Sequence, residues 1–177
     1  ASDATAYTHA VFDSNANRVV IGFRDTTDSN KGKAIVGTVS GTDISFGTEA
    51  EFESGNSLDI TGAFDSTNNK VVFAYRDNGN SDYGTAVVGT VTGTAVTFGT
   101  PVVFHERYTG GGTNYISAAY DSFNDRVHIG FRDPNNSDGS SGGFVMGSVS
   151  SDTITFDTPT FFTNNATFFG SAFDSYN

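Results

Sequence analysis

The sequence predicts an all-β fold built from a repeated unit, and three observations support this prediction. The 177 residues include 21 glycines, 17 phenylalanines and seven tyrosines, a composition that favours strands with many tight turns and a real apolar core. Apolar side chains follow the two-residue alternation of strands. Short motifs also recur at a spacing of about 50 residues, which is typical of repeat architectures.

The first motif is an aromatic-Asp-Ser triplet that ends the first strand of each unit. It occurs as Phe12-Asp13-Ser14, Phe64-Asp65-Ser66, Tyr120-Asp121-Ser122 and Phe173-Asp174-Ser175, with the aspartates 52, 56 and 53 residues apart. An aspartate at such a position accepts backbone N–H groups two residues further along the chain and fixes a turn. We therefore expect these aspartates to be structural.

The second motif is an eight-residue strand that ends in Arg-Asp. It spans Arg18 to Asp25, Lys70 to Asp77 and Arg126 to Asp133. Because successive side chains of a strand point to opposite faces, Val71, Phe73 and Tyr75 share a bulky face, while Ala74 lies at the centre of the other. This difference suits units that pack face to face, with large side chains over small ones.

A hairpin completes each unit, at 34–46, 86–98 and 144–156. Four strands in about 50 residues is the size of a β-propeller blade, so we predict a propeller of four-stranded antiparallel blades. Blade 1 spans 1–52, blade 2 spans 53–104 and blade 3 spans 105–162, and 163–177 is the first strand of an incomplete fourth blade.

Three blades do not close a ring, and an open array exposes two apolar faces and a strand edge. We expect the chain to be a homo-oligomer, with a homodimer forming one ring of about six blades and the extra strand pairing across the junction. The competing interpretation is a fragment of a longer propeller, in keeping with a chain that begins at Ala1 without Met.

The unit resembles the blade of Asp-box (bacterial neuraminidase repeat) propellers. The match includes Tyr75-Arg76-Asp77, the loop Asn80-Ser81-Asp82-Tyr83-Gly84 and Thr97-Phe98, which stands for the family's Thr-Trp. Compared with the family's motif, the turn before Thr97 is one residue shorter, and the Asp of the motif is missing or displaced. The resemblance implies a sialidase-like architecture, in which enzymes use three arginines, a tyrosine nucleophile with a glutamate, and an aspartic acid/base. The general character of the sequence also resembles that of bacterial and phage surface or fibre proteins, which favours an extracellular, virion or cell-surface location.

The candidate ligand-binding residues are the recurring Arg-Asp pairs. They are Arg24, Arg76 and Arg132, followed by Asp25, Asp77 and Asp133. In such propellers these residues would ring one face, where arginine forks could hold a carboxylate or a sugar. The competing interpretation pairs each arginine with an aspartate of its own or the adjoining blade, such as Asp13, Asp65 or Asp121, and strict recurrence favours that structural role.

Tyrosines near these pairs could stack on a sugar ring in a chain without tryptophan; the candidates are Tyr83, Tyr108 and Tyr115. Tyr108 and Tyr115 belong to the longer connection before unit 3, which is either a recognition loop or a tolerated insertion. Asp77, Asn80 and Asp82 could ligate Ca²⁺, although ordinary turn chemistry explains them better. His128 is expected to be a partly buried side chain with its hydrogen bonds satisfied.

The net charge of −11 argues against nucleic acid and anionic membranes as partners. The absence of cysteine excludes disulfides and thiolate metal sites, and no apolar run approaches a membrane span. The sequence predicts a non-catalytic, lectin-like binding or adhesion module with no obligatory cofactor and with a glycan as the possible ligand. The alternatives are a passive self-assembling structural unit and a sialidase-like glycosidase.

Overall fold

The computed structural model describes residues 4–106, 111–136, 139–164, 166 and 170–172. These residues form fourteen β-strands, one 3₁₀ turn (Asn78–Asn80) and no α-helix, and every pairing is antiparallel. The all-β prediction is therefore confirmed. Among the described residues no helix is long and apolar enough to cross a membrane.

The strands are β1 (Thr5–Asp13), β2 (Arg18–Asp25), β3 (Lys31–Ser40), β4 (Asp43–Phe46), β5 (Ala50–Asp65), β6 (Lys70–Asp77), β7 (Tyr83–Thr92), β8 (Ala95–Phe98), β9 (Val102–His105), β10 (Asn114–Asp121), β11 (Arg126–Asn136), β12 (Gly139–Ser150), β13 (Thr153–Phe156) and β14 (Thr160–Asn164). They repeat in three units. Unit 1 comprises β1 to β4 and the start of β5, unit 2 the rest of β5 and β6 to β9, and unit 3 comprises β10 to β14.

Each unit contains one pairing segment more than the four strands that the sequence predicts. The short β4 pairs with only one half of β3, from Gly37 to Ser40. The other half of β3 would keep unpaired N–H and C=O groups, and the start of β5 returns to pair with it. The segments β9 and β14 repeat this arrangement on β7 and β12.

The long strand β5 links units 1 and 2. Its first residues pair with β3, and its stretch from Ser57 to Asp65 pairs with β6. Units 1 and 2 therefore share one nine-stranded sheet, whereas unit 3 forms a separate five-stranded sheet, and neither sheet is closed. The corresponding link to unit 3 is divided into β9 and β10, on either side of the longer connection.

The faces of successive units pack large side chains over small ones. In unit 2, Val71, Phe73 and Tyr75 are buried in the core shared with unit 1, while Val72 and Ala74 are buried in the core shared with unit 3. Phe73 lies so close to unit 1 that a Cβ atom added at Gly22 would be 2.5 Å from its Cε1 atom. The predicted division into a bulky and a small face is confirmed.

One phenylalanine from the end of unit 1 and one from the end of unit 2 cover the unit that follows. Phe52 of unit 1 stacks on Phe73 with 5.7 Å between ring centroids and meets the edge of Phe98 at 5.5 Å. Phe104 of unit 2 contacts Phe156 in the same way at 5.7 Å. The two junctions are therefore built on one plan.

The first strands of the three units lie side by side around a groove of about 390 Å³. A side chain four residues before each turn aspartate bonds the backbone of the following unit. The contacts are the His9 ring with the Gly62 backbone, Ala118 N–H to Thr61 Oγ1 at 3.3 Å, and Ser171 N–H to Ser117 Oγ at 2.8 Å. The segment that contains Ser171 therefore lies against unit 3 as each first strand lies against the unit before it.

The turn aspartates play the structural role that the sequence predicts. Each is buried, and its Oδ1 atom accepts two backbone N–H groups. The donors are Asn15 and Ala16 for Asp13, Thr67 and Asn68 for Asp65, and Phe123 and Asn124 for Asp121, all at 2.8 to 3.0 Å. Asp174 lies outside the described residues.

Candidate functional site

The predicted arginines lie beside a β-bulge that recurs at one end of every unit. In unit 1, Ala6 pairs with Arg24 and His9 pairs with Gly22, so two residues of β1 oppose one residue of β2. The same shift occurs in the pairing of β5 with β6 and of β10 with β11. A bulge re-aims its side chains and is common next to binding sites. We call this part of the molecule the bulge end.

The first bulge residue of each unit has a left-handed backbone. Its φ angle is +52° at Tyr7, +52° at Asp59 and +50° at Tyr115. Aspartate tolerates this conformation, but it costs a residue such as tyrosine about 1–2 kcal/mol. The two tyrosines therefore stand where glycine or asparagine would suit the backbone better.

Both tyrosines lie against an arginine of their own unit. The guanidinium carbon of Arg24 is 4.8 Å from the ring centroid of Tyr7, and that of Arg132 is 5.7 Å from the ring of Tyr115. These distances are typical of cation–π contacts. The tyrosine residues remain 41% and 36% exposed, so the bulge end presents two oriented aromatic rings to solvent.

In unit 2 an acidic group takes the tyrosine's place. The Nε atom of Arg76 is 3.8 Å from Asp59 Oδ2 and 4.0 Å from Asp82 Oδ1. Burial raises the pKa of Asp59, while the charge of Arg76 opposes that shift. The middle of the bulge end is therefore a partly buried ion cluster rather than an aromatic surface.

Asp13, Asp65 and Asp121 are not the partners of the arginines, because those aspartates cap the turns at the opposite end of the second strands. The broader expectation of an aspartate from the same unit is met at Arg76, which lies beside Asp59 and Asp82. Each arginine also donates a hydrogen bond to a neutral side chain. Arg24 donates to Asn56 Oδ1 at 3.3 Å, Arg76 donates to Asn114 Oδ1, and Arg132 donates to Ser140 Oγ at 2.8 Å. Arg76 therefore bridges to the following unit, whereas Arg24 bonds the part of β5 that pairs with β3.

The aspartates that follow the arginines are buried. Asp25 Oδ1 accepts the N–H groups of Thr27 and Asp28, and Oδ2 lies 2.7 Å from Lys33 Nζ. The Lys33 hydrogen bond, with those from Thr27 and Asp28, holds the pKa of Asp25 well below its usual range. Asp77 Oδ1 accepts from Asn80 N–H at 3.0 Å, and burial raises its pKa. These contacts bear out the turn chemistry predicted after the Arg-Asp pairs.

The possible Ca²⁺ ligands are used within the protein. Asp77 caps the 3₁₀ turn, and Asp82 Oδ1 accepts from Asn78 Nδ2 at 2.7 Å. Across the described ranges, no three His, Cys, Asp or Glu side chains form a group that could hold a metal ion. Tyr83 is half-buried at the start of β7, and Tyr108 lies outside the described residues.

Sequence reasoning missed two buried polar contacts at the junctions. Tyr75 is fully buried and its hydroxyl donates to Glu53 Oε2 at 3.0 Å; burial, with the charge of Glu53, raises the pKa of Tyr75. Such a hydroxyl is not an accessible nucleophile. At the next junction His105 Nδ1 lies 2.9 Å from Thr113 Oγ1, and Nε2 lies 3.4 Å from Asp133 Oδ2.

The structure corrects one expectation about a histidine and adds one tyrosine to the candidate site. The expectation that the hydrogen bonds of His128 are satisfied is wrong, because within the described part of the chain its Nε2 atom has no hydrogen-bond partner and lies 3.7 Å from Asp121 Oδ2. Tyr7 joins Tyr115 as a candidate site residue, and the sequence contains a signal for it, because Tyr7 and Tyr115 both stand six residues before a turn aspartate.

Comparisons with protein-family models, with curated proteins and with solved structures find no match to this chain. A function must therefore be argued from the repeat and from the bulge end. The two tyrosine rings combine exposure with a defined position over their arginines.

Proposed function

We propose that the three units are blades of a β-propeller and that the chain is a non-catalytic binding module of lectin-like type. The propeller interpretation is supported by the first strands, which lie around one groove and are joined by the same kind of contact at each step. Large-over-small packing also repeats between units. A propeller arranges its blades radially in this way.

One observation favours binding at the bulge end: exposed tyrosines occupy strained positions there. Strained backbone of this kind persists only where the surroundings over-determine it, and such residues cluster at ligand sites. Tyr7 and Tyr115 are only partly buried, and 41% and 36% of their surface remains accessible to a ligand. Their retention is explained if the rings themselves contact a ligand.

The chemistry of the bulge end suits a neutral glycan. A tyrosine ring offers a flat apolar surface for the C–H face of a sugar, and the neighbouring guanidinium N–H groups can donate to hydroxyls. Asp59 and Asp82 beside Arg76, together with the net charge of −11, disfavour strongly anionic ligands. Two similar sites on one chain would also bind a repeated glycan more strongly than either site alone.

A glycan array, read with and without Ca²⁺, tests this proposal. We expect binding of neutral oligosaccharides that is weakened at least tenfold by Tyr7→Ala and by Tyr115→Ala. Phe123→Ala is the matched control, because Phe123 is 81% exposed but lies in the turn at the opposite end of its unit. No binding across the array, or equal loss in the control, would contradict a lectin-like role.

A second substitution separates a functional tyrosine from a structural one. Glycine accepts a φ of +52° at no steric cost, so Tyr7→Gly should leave the free energy of unfolding unchanged or raise it by up to about 1 kcal/mol. Glycan binding should nevertheless fall. If Tyr7→Gly is strongly destabilising, the ring contributes to folding and the functional interpretation fails.

The second candidate function is a self-assembling structural unit. It is favoured by apolar side chains that the outer faces of units 1 and 3 leave exposed, including Phe46 at 52% and Phe162 at 61%. Surfaces of this kind on a repeat array call for a covering partner. Light scattering over a range of concentrations tests it, and a chain that stays monomeric would rule it out.

A further inference from the structure

The aspartate that follows the repeated arginine has a basic side chain beside it in units 1 and 3. Asp25 Oδ2 lies 2.7 Å from Lys33 Nζ, and Asp133 Oδ2 lies 3.4 Å from His105 Nε2. The equivalent residue of unit 2 is Asp77, which is 6% exposed. Among the described residues, no lysine, arginine or histidine forms an ion pair with Asp77. A buried carboxylate without a basic partner is costly.

Unit 2 differs from its neighbours at the two positions that hold these basic groups. Thr85 takes the position of Lys33, since each pairs with the aromatic residue that precedes the arginine. Glu53 takes the position of His105, since each pairs with the glycine at the start of a third strand. Burial raises the pKa of Asp77, and the charge of Glu53 raises it further. The junction between units 1 and 2 therefore brings two acids together.

The two carboxylates border one small space at the bulge end. A Cβ atom added at Gly55 would lie 3.3 Å from Glu53 Oε1 and 3.6 Å from Asp77 Oδ1, and 3.3 Å from the Cα atom of Gly79. Two glycines that face each other thus keep other side chains out of this space. Glu53 Oε1 accepts the Gly55 N–H at 2.8 Å, and Asp77 Oδ1 accepts the Asn80 N–H at 3.0 Å. Because a carboxylate has about four lone-pair sites, both groups can still bind a ligand.

Two buried hydroxyl groups lie on the same face of the sheet. Ser57 is fully buried and Thr85 is 2% exposed, and neither hydroxyl oxygen has a hydrogen-bond partner within the part of the chain that the structure describes. Ser57 is the cross-strand partner of Asp77, and Thr85 is that of Tyr75, whose hydroxyl donates to Glu53. Cross-strand partners share a face of the sheet. Buried polar atoms of this kind indicate a bound ion or water.

We propose that Glu53 of unit 1 and Asp77 of unit 2 bind one Ca²⁺ ion between them. The hydroxyls of Ser57 and Thr85 contribute neutral oxygen ligands, and water completes the coordination on the partly exposed side of Glu53. Two carboxylates among oxygen donors of irregular geometry suit Ca²⁺ better than Mg²⁺, which requires a near-ideal octahedron. Of the Ca²⁺ ligands that the sequence suggests, only Asp77 takes part.

The ion links two units of the array and supplies the positive charge that basic side chains supply beside the other two aspartates. Its binding does not depend on a glycan. The calcium response and the glycan array therefore test separate proposals.

Thermal unfolding with and without Ca²⁺ tests the site. Two carboxylates should bind Ca²⁺ with a Kd of about 0.1–1 mM, the range of weak extracellular calcium modules. At about 10 mM, Ca²⁺ should then raise the unfolding temperature by about 3–10 °C. Mg²⁺ at the same concentration is the control for ionic strength and should produce a clearly smaller shift. Equal shifts with the two ions, or no shift with Ca²⁺, would overturn the proposal.

A matched pair of variants locates the response. Glu53→Gln removes one charge and keeps an oxygen for the Gly55 N–H, so Ca²⁺ should bind at least about tenfold more weakly. Glu51→Gln is the control, because Glu51 is exposed, lies two residues away and pairs with Lys31 at 3.1 Å. It should respond to Ca²⁺ as the parent chain does. A full response in Glu53→Gln would overturn the assignment, as would equal loss in both variants.

Terbium luminescence locates the ion independently of stability. Tb³⁺ occupies Ca²⁺ sites and emits when a nearby tyrosine is excited, and the Tyr75 hydroxyl bonds the proposed ligand Glu53. The parent chain should give emission that added Ca²⁺ displaces. This emission should fall by at least half in Tyr75→Phe and stay unchanged in Tyr120→Phe, since Tyr120 lies at the opposite end of its unit. Full emission in Tyr75→Phe would place the ion elsewhere and overturn the proposal.

A proton shared by the two carboxylates is the competing explanation. It predicts a free energy of unfolding that rises as pH falls, because at least one acid would have a raised pKa in the folded chain. It also predicts no response to Ca²⁺. These two results together would replace the calcium site with an acid pair.

Discussion

Replacing Gly22 with alanine tests the large-over-small packing directly. The added Cβ atom would lie 2.5 Å, 2.8 Å and 3.0 Å from the Cε1, Cδ1 and Cζ atoms of Phe73, which is fully buried. An ordinary contact needs about 3.5–4.0 Å, so the ring or the backbone must shift by about 1 Å. Overpacking of this kind costs about 1–3 kcal/mol, and the lower backbone entropy of alanine in the unfolded chain returns up to about 1 kcal/mol.

The next junction supplies the compensating change. There Ala74 takes the position of Gly22, and Ile129 takes the position of Phe73. The small residue is therefore larger, and the large residue smaller, than at the first junction. Phe73→Ile alone should cost about 2 kcal/mol, since it removes part of a buried ring. The double variant should recover about 1–2 kcal/mol relative to the sum of the two single changes.

Urea unfolding followed by far-UV circular dichroism measures these free energies. Gly170→Ala is the control, because nothing lies within 4 Å of a Cβ atom added there. If the losses in free energy of unfolding caused by Gly22→Ala and Phe73→Ile simply add in the double variant, the two residues do not share one packing site. The packing of Phe73 over Gly22 would then be refuted as the basis of this junction.

Three further predictions concern buried polar groups. Burial lowers the pKa of His105, so the folded chain favours the neutral ring and the free energy of unfolding should fall as pH drops below about 6.5. In urea unfolding, His105→Gln should reduce this dependence on pH. An unchanged dependence would contradict the role given to His105. Asp65→Ala should cost about 1–3 kcal/mol in thermal unfolding because two turn N–H groups lose their acceptor, whereas the exposed neighbour Ser66→Ala should be neutral. Tyr75→Phe should cost about 1–3 kcal/mol by leaving Glu53 without its buried donor, and full stability in that variant would show that water replaces the hydroxyl.

The strands and their faces could be predicted from the sequence because both depend on local patterns. Alternation along Lys70 to Asp77 determines which side chains share a face, and the structure places those sets in different cores. The turn aspartates act on N–H groups two and three residues away. Local rules of this kind need no knowledge of how the units are arranged.

The bulge end could not be predicted in the same way. The left-handed residue of the bulge is Tyr7, Asp59 or Tyr115, so no glycine marks it. The arginine partners also differ between units and lie at different distances along the chain, which hides them from a search for repeats. The sequence therefore identified the arginines but not the residues that orient them.

The continuity of β5 has a mechanical consequence. A load applied between the two ends of the chain meets different resistance at the two junctions, because one sheet runs through units 1 and 2 while unit 3 has its own. Separating units 1 and 2 requires rupture of the ladder hydrogen bonds that β5 makes either with β3 or with β6. Unit 3 shares no strand with unit 2, and that junction is held by side-chain packing and by contacts such as Ala118 N–H to Thr61 Oγ1. Under tension the array should yield in two steps, and the first unit to unravel should be the third.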